Sequence, residues 1–157
     1  MQSKITKMIR LNLPSFEIKL SGTKEQPRIF DVLRHRYVAL TPEEWVRQHF
    51  VHYLIEHKGY PAMFIGNEIT LSVGRLSRRC DSVVFNKSAE PVMIIEYKAP
   101  TVKITQKVFE QICSYNIALH APYLTVSNGL QSYCCRIDKE ANTYEFLKDI
   151  PAYGELL

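Results

Sequence analysis

The sequence predicts a single mixed domain, α/β in content, with helices and strands sharing one α+β mixed sheet. Three observations point there. A helix-start signal stands at Thr41-Pro42-Glu43-Glu44, a second segment of helical periodicity runs from about Lys103 to His120, and short strand-like apolar runs lie between and after them. The expected order is helix, three strands, helix, then two or three strands.

With 157 residues the chain is long enough for one domain with a substantial core. We expect one domain over residues 1–157, made of a β-rich extension (1–40), a core (41–147) and a loose tail (148–157). In the extension, Phe16–Leu20 alternates and Arg28–Leu33 is strand-like. Arg34-His35-Arg36 reads as a turn before Tyr37–Leu40, so the segment should pack on the core as an N-terminal β-hairpin.

Thr41 can cap the first helix, Pro42 suits its first position and Glu44 would close a capping box. Val46, Phe50, Tyr53 and Leu54 form its apolar stripe, and Gly59 stops it after Glu56-His57. Glu68–Val73 is a strand and Gly74–Arg79 a basic turn. Cys80–Phe85 and Pro91–Lys98 are strands joined through the turn residues Asn86–Glu90, ended by Ala99-Pro100. The second helix has Ile104, Val108, Ile112, Tyr115 and Leu119 on one flank. Tyr123–Val126, Ser132–Ile137 and a shorter Thr143–Leu147 follow as strands, with Asn128-Gly129 as a turn.

Hydrophobic residues make up 46% of the chain and charged residues 23%, ordinary values for a soluble globular protein. No apolar stretch approaches the ~20 residues of a membrane span. The start, Met1 to Arg10, carries positive charge with no signal-peptide apolar core behind it, so a cytoplasmic protein is expected. A net charge of +4 permits a polyanionic partner without demanding one. The cysteines, Cys80, Cys113, Cys134 and Cys135, match neither a zinc site nor a disulfide framework and read as buried thiols. The histidines show no metal-ligand spacing with acids nearby, His49 and His52 being the nearest to a pair, and Trp45 reads as a core anchor.

The chemistry concentrates on Asp81 and on Glu96-Tyr97-Lys98. If the hairpin is centred between Ser88 and Ala89, Asp81 lies opposite Glu96, with Cβ atoms roughly 5 Å apart, where like charges repel. Side chains alternate along a strand, so Glu96 and Lys98 share a side. A divalent cation beside a lysine would offset the repulsion; the bland alternative is a cross-strand ion pair. Phosphodiester hydrolysis needs such a cation and positive charge near the phosphate. Magnesium takes oxygen ligands and keeps several waters. Asp81, Glu96 and the backbone carbonyl of Tyr97 would then be the protein ligands, and Lys98 would orient the attacking water or stabilise the transition state. Arg79 either meets a phosphate or pairs with Glu68, while Arg78 is expected to be solvated.

The segments Arg78-Arg79-Cys80-Asp81, Ile94–Pro100 and Gln111-Ile112-Cys113-Ser114-Tyr115 resemble the PD-(D/E)xK nuclease superfamily. More narrowly, they resemble the nuclease domain at the N-terminus of type I restriction enzyme R (motor) subunits, over about residues 41–137. The resemblance implies a restriction-endonuclease-like α-β-β-β-α-β core. It also implies a Mg²⁺-dependent endonuclease acting on DNA within a restriction system, with Mn²⁺ as a substitute. Asp81 and Glu96 would be its metal ligands and Lys98 its catalytic lysine. Gln111 and Tyr115 match the family's Q-x-x-x-Y motif, which contacts DNA or supports the site. Glu44, with Glu43 as runner-up, would be the further acid that an early helix often contributes. The chain has no room for a helicase motor. Either a separate motor or specificity subunit supplies that function, or the nuclease is free-standing; cutting both strands would call for a homodimer. The alternative is a non-catalytic nucleic-acid-binding or protein-interaction module that retains the nuclease fold.

Overall fold

A computed structural model describes residues 8–156. The basic start over 1–7, read above as lacking a signal-peptide core, lies outside the described residues, as does the last residue of the tail. The extension forms a small antiparallel sheet of β1 (Leu20–Gly22), β2 (Pro27–Asp31) and β3 (Arg36–Ala39), one strand more than the expected hairpin. Its first strand starts at Leu20, at the end of the alternating run rather than along it.

The core begins with α1 (Pro42–His57). The Thr41 hydroxyl accepts the Glu44 N–H at 3.0 Å, as the sequence predicts. The other half of the capping box does not form, because the Glu44 carboxylate is drawn to Arg47 instead. At the far end, Gly59 takes φ +73, a left-handed conformation that costs a residue with a Cβ about 1–2 kcal/mol. This lets Tyr60 N–H return to the Leu54 carbonyl at 3.1 Å.

The main sheet has the order β4-β5-β6-β7-β8-β9: Ile65–Val73, Leu76–Phe85, Pro91–Tyr97, Tyr123–Ser127, Ser132–Asp138 and Thr143–Phe146. It is mixed, since β6 and β7 are parallel while the other neighbours are antiparallel. The parallel pair requires a crossover, which α2 (Gln106–Asn116) provides. The expected helix over 103–120 is thus shorter at both ends. Thr105 caps α2 by accepting the Val108 N–H at 3.2 Å, and a 3₁₀ turn over Ile117–Leu119 leads to His120 at φ 65. Tyr115, expected on the apolar flank, is 53% exposed. The element order of the core is α-β-β-β-α-β-β-β, a mixed α+β fold with the predicted α-β-β-β-α-β at its head.

Two apolar layers hold the sheet between the helices. Val46, Phe50 and Leu54 of α1 pack on Ile65, Val84, Met93, Ile95 and Tyr97. Phe109, Ile112 and Cys113 of α2 pack on Cys80, Val83, Ile94, Leu124 and Val126. Trp45 is buried and its indole donates to the Ile9 carbonyl. A Cβ on Gly129 would fall 2.7 Å from the Leu11 side chain, so glycine there lets the N-terminal segment lie against the β7–β8 turn. No helix among the described residues is long and apolar enough to cross a membrane.

Candidate functional site

The hairpin register runs Ser82↔Ile95, Val83↔Ile94 and Val84↔Met93, and one step further along it places Asp81 opposite Glu96. The regular ladder stops at that step. Instead the Asp81 carboxylate accepts the Tyr97 main-chain N–H at 2.9 Å. On the other side, Asn67↔Ser82 and Ile69↔Cys80 pair, which leaves Glu68 opposite Asp81 with no ladder pairing. Glu68 takes φ 57, rare for a residue with a Cβ. Strand alternation also breaks here: Cys80 and Val83, an odd number of residues apart, both pack on the α2 side. One residue on each strand leaves the ladder, so register survives while three acids from β4, β5 and β6 are set abreast. Distortions of this kind re-aim side chains next to functional sites.

A polar cleft of about 560 Å³ opens over this row, lined by Glu43, Glu44, Arg47, Glu68, Asp81, Glu96, Tyr97 and Lys98 among others. A separate cleft of about 470 Å³ beside Phe109, Tyr133 and Phe146 is apolar and holds no carboxylate or amine, so it offers no comparable chemistry.

Arg47 is the central cation. It is buried, and its guanidinium donates to Glu44 from Nε at 2.9 Å and Nη2 at 2.8 Å. Nη2 also reaches Glu68 at 2.7 Å, and Nη1 donates to the Asp81 main-chain carbonyl at 2.8 Å. Burial opposes its charge, but Glu44 and Glu68 outweigh burial and raise its pKa further. Glu44 accepts two further hydrogen bonds, from Arg34 Nη2 at 3.0 Å and Gln48 Nε2 at 2.9 Å. A carboxylate has about four lone-pair positions, and here all are occupied. The further acid expected at Glu44 is therefore committed to Arg47, and Glu43, exposed on the cleft wall, is the acid of that pair with room for another partner.

Asp81 is in the opposite condition. Burial pushes its carboxyl above the usual range and the like charges of Glu96 and Glu68 add to that; the Tyr97 N–H and Arg47 only partly compensate. Glu96 has two partners: Asn116 Nδ2 of α2 at 3.2 Å and Arg78 Nη2 at 3.6 Å. Arg78, expected to be solvated, instead lies 4.5 Å from the centre of the Tyr115 ring and forms the rim of the site. The face of the Tyr115 ring on α2 and the Glu96 charge together hold it. Arg79 takes the second of its two expected options, donating from Nε to Glu68 at 2.6 Å. Gln111 is exposed, one helical turn before Tyr115.

The structure thus brings Glu44, Asp81, Glu96, Tyr97 and Lys98 into one cleft, puts Tyr115 at its rim through Arg78, and leaves Gln111 and Arg79 outside its lining. Arg47, Glu68, Asn116 and Arg34 are the participants that sequence reasoning missed. Glu44, Arg47 and Gln48 at i, i+3 and i+4 on one helix were a readable signal for the first. Among the described residues, no group of three or more His, Cys, Asp or Glu side chains is gathered closely enough to hold a metal ion alone. Two carboxylates plus a main-chain carbonyl are nevertheless a donor set that suits a hard cation retaining waters; the Asp81 carboxyl is raised first by burial and then by the charges of Glu96 and Glu68.

A family model described as the type I restriction enzyme R protein N terminus matches residues 42–151. No curated protein matches the chain.

Proposed function

The chain belongs to the family of type I restriction enzyme R protein N termini, and from that premise we propose that it is a metal-dependent deoxyribonuclease, an endonuclease hydrolysing DNA phosphodiester bonds. Family membership supports a restriction-related nuclease role. The single observation that supports the finer reading is the Asp81–Tyr97 contact at 2.9 Å, which fixes an acid of β5 against the end of β6, beside Glu96 and Lys98.

Asp81, Glu96 and the main-chain carbonyl of Tyr97 are the groups that would hold Mg²⁺, or Mn²⁺ in its place. When bound, the cation supplies Lewis acidity at the phosphate and lowers the pKa of a coordinated water. The Lys98 ammonium supplies three donors as a compact point charge, suited to orienting a water or to charge developing on phosphate oxygens. Arg47 holds the Asp81 main chain and Asn116 steadies Glu96, so both acids are fixed from the helices rather than left to solvent. Glu44 acts through Arg47 as a positioning residue. Tyr115 with Arg78 at the rim, and Gln111 beside them, form the surface offered to DNA.

The partner is DNA. A motor or specificity subunit would be a further partner, and two copies of the site would be needed to cut both strands. The test is incubation with linear, circular and single-stranded DNA with Mg²⁺ and Mn²⁺, comparing the wild type with Lys98→Ala. Cleavage that falls by about 10²–10³-fold in a folded Lys98→Ala protein is expected; cleavage unchanged by the substitution sinks the assignment. Salt-sensitive DNA binding with no cleavage under either metal would favour the non-catalytic module instead.

A further inference from the structure

Asp31 ends β2, outside the family-matched residues 42–151, and is wholly buried. A carboxylate there is tolerable only if its oxygens are well supplied with donors. Oδ1 accepts the Leu33 N–H at 2.8 Å and the Arg34 N–H at 3.0 Å, while Oδ2 accepts Arg34 Nε and Asn67 Nδ2, the latter at 3.0 Å. Burial raises the pKa of this carboxyl, yet those hydrogen bonds outweigh burial and hold it below its ordinary value.

Two polar arms leave Asp31 and meet again at the cleft. Along the first, Arg34 Nη2 donates to Glu44 at 3.0 Å, Glu44 grips Arg47, and Arg47 Nη1 donates to the Asp81 carbonyl at 2.8 Å. Along the second, the Tyr97 hydroxyl donates to Ser82 Oγ at 2.9 Å and Ser82 Oγ donates to Asn67 Oδ1 at 2.6 Å. The direction of the second arm is dictated from its end. An ionised Asp31 only accepts, so Asn67 must present its NH₂ to Asp31 and its oxygen to Ser82. Ser82 must then donate to Asn67 and accept from Tyr97. The Tyr97 N–H closes the circuit on the Asp81 carboxylate at 2.9 Å.

We propose that Asp31, from the N-terminal sheet, is a positioning residue of the cleft: it sets the donor direction through Asn67 and Ser82 and anchors Arg34–Glu44–Arg47, so that both arms fix the Asp81–Tyr97 contact. The extension therefore completes the site and is not an appendage to it. This rests on the cation-site reading above, so its test carries a readout that does not depend on cation or cleavage.

In Asp31→Asn the amide supplies donors as well as acceptors, and the direction of the second arm is no longer fixed. Hydrogen exchange of the Tyr97 amide should quicken by about tenfold or more, as for loss of one charge-assisted hydrogen bond. The Leu124 amide in β7 should hold its wild-type rate, which separates positioning from general destabilisation. Mn²⁺ titrated by thermal shift should show a midpoint weakened to a similar degree. A folded Asp31→Asn protein with wild-type Tyr97 exchange overturns the proposal, as does equal quickening at Tyr97 and Leu124. Should Asp31→Asn fail to fold, Tyr97→Phe removes only the last O–H of the second arm: faster exchange at residue 97 alone supports the proposal, and an unchanged rate overturns it. If the wild type binds no Mn²⁺, the cation reading fails while the Tyr97 amide still decides for or against Asp31.

Discussion

Glu68 stands opposite Asp81 across β4 and β5 without a ladder pairing, with its backbone at φ 57 and its carboxylate shared by Arg47 at 2.7 Å and Arg79 at 2.6 Å. Two acids are thereby held side by side at a cost in backbone strain and in repulsion. The two arginines offset that cost at Glu68: burial raises its pKa, but Arg47 and Arg79 bring it below the ordinary value. Asp81 has no comparable partner and is left protonating more easily than usual. The arrangement separates two neighbouring carboxylates into one that is neutralised by arginines and one whose charge the protein leaves largely uncompensated.

Glu68→Ala should destabilise the protein by about 1.5–3 kcal/mol, the range for hydrogen bonds to charged groups, most of it from Arg47 because Arg79 is largely exposed. Glu68→Gly should be the milder change by about 1 kcal/mol, because glycine adopts the left-handed backbone without the Cβ penalty. That order reverses the usual preference in a strand. Urea unfolding of the two variants checks it, and Gly no better than Ala would mean that the backbone at residue 68 relaxes once the ion pairs are gone.

Asp81→Asn should stabilise the cation-free protein at neutral pH. The folded-state pKa of Asp81 is raised, so folding is favoured by its protonation; that contribution is complete below the ordinary value of 3.8 and is lost as pH rises through the raised value. At neutral pH the ionised group is a liability that asparagine removes, and the amide oxygen can still accept the Tyr97 N–H. The melting temperature of Asp81→Asn should exceed that of the wild type at pH 7, and the gap should close as pH falls below 3.8. Mg²⁺ should raise the wild-type melting temperature and leave the variant unmoved, reversing the order at saturating metal.

The Asp81–Glu96 relationship was legible because the Asn86–Glu90 turn is short and a hairpin register follows from its turn. The bulge between Val84 and Phe85 alters only the end near the turn. The same arithmetic, centred on the Gly74-Arg75 turn where Val73 pairs with Leu76, places Glu68 opposite Asp81. That acid is missed when all of Gly74–Arg79 is read as the turn, whereas β5 already begins at Leu76. The first helix was readable from its cap to Gly59, since both signals are local. What local patterns do not contain is the reach of long side chains between elements. Arg47 crosses from α1 to β4 and β5, Arg34 from the extension to α1, and Asn116 from α2 to β6. The capping-box rule was sound for Thr41 but lost the Glu44 carboxylate to a stronger cationic partner. Helical periodicity put Tyr115 on the apolar flank, and the structure turns it out to meet Arg78.

The four cysteines should be inert in the folded protein. All are buried, and burial pushes the Cys80 and Cys134 thiols up to about 11, with Cys113 and Cys135 raised as well. For a thiol raised this far the thiolate fraction at pH 8 falls by about a hundredfold, before any steric protection. Iodoacetamide labelling at pH 8 followed by mass spectrometry should therefore track unfolding, with the native protein unmodified while the urea-unfolded chain takes four labels. Rapid labelling of Cys113 alone would show α2 opening by itself.

If the cleft takes a cation and DNA as proposed, Arg78 acts on the two in opposite senses. Its guanidinium is 3.6 Å from Glu96 and 4.5 Å from the Tyr115 ring centre, with the Arg78 side chain about a third exposed at 30%. A cation arriving at Glu96 must share that carboxylate with it, and a phosphate crossing the rim would be attracted by it. A partly exposed pair of this kind is worth at most about 1 kcal/mol, so Arg78→Ala should tighten the Mg²⁺ midpoint by no more than about fivefold. The same substitution should weaken DNA binding and reduce the slope of log affinity against log salt by about one phosphate contact. Isothermal titration with Mg²⁺ and fluorescence anisotropy with labelled duplex across a salt series measure the two separately. Losses in both would show that Arg78 supports the Glu96 geometry rather than competing for its charge, and an unchanged salt slope would remove it from the DNA-facing rim.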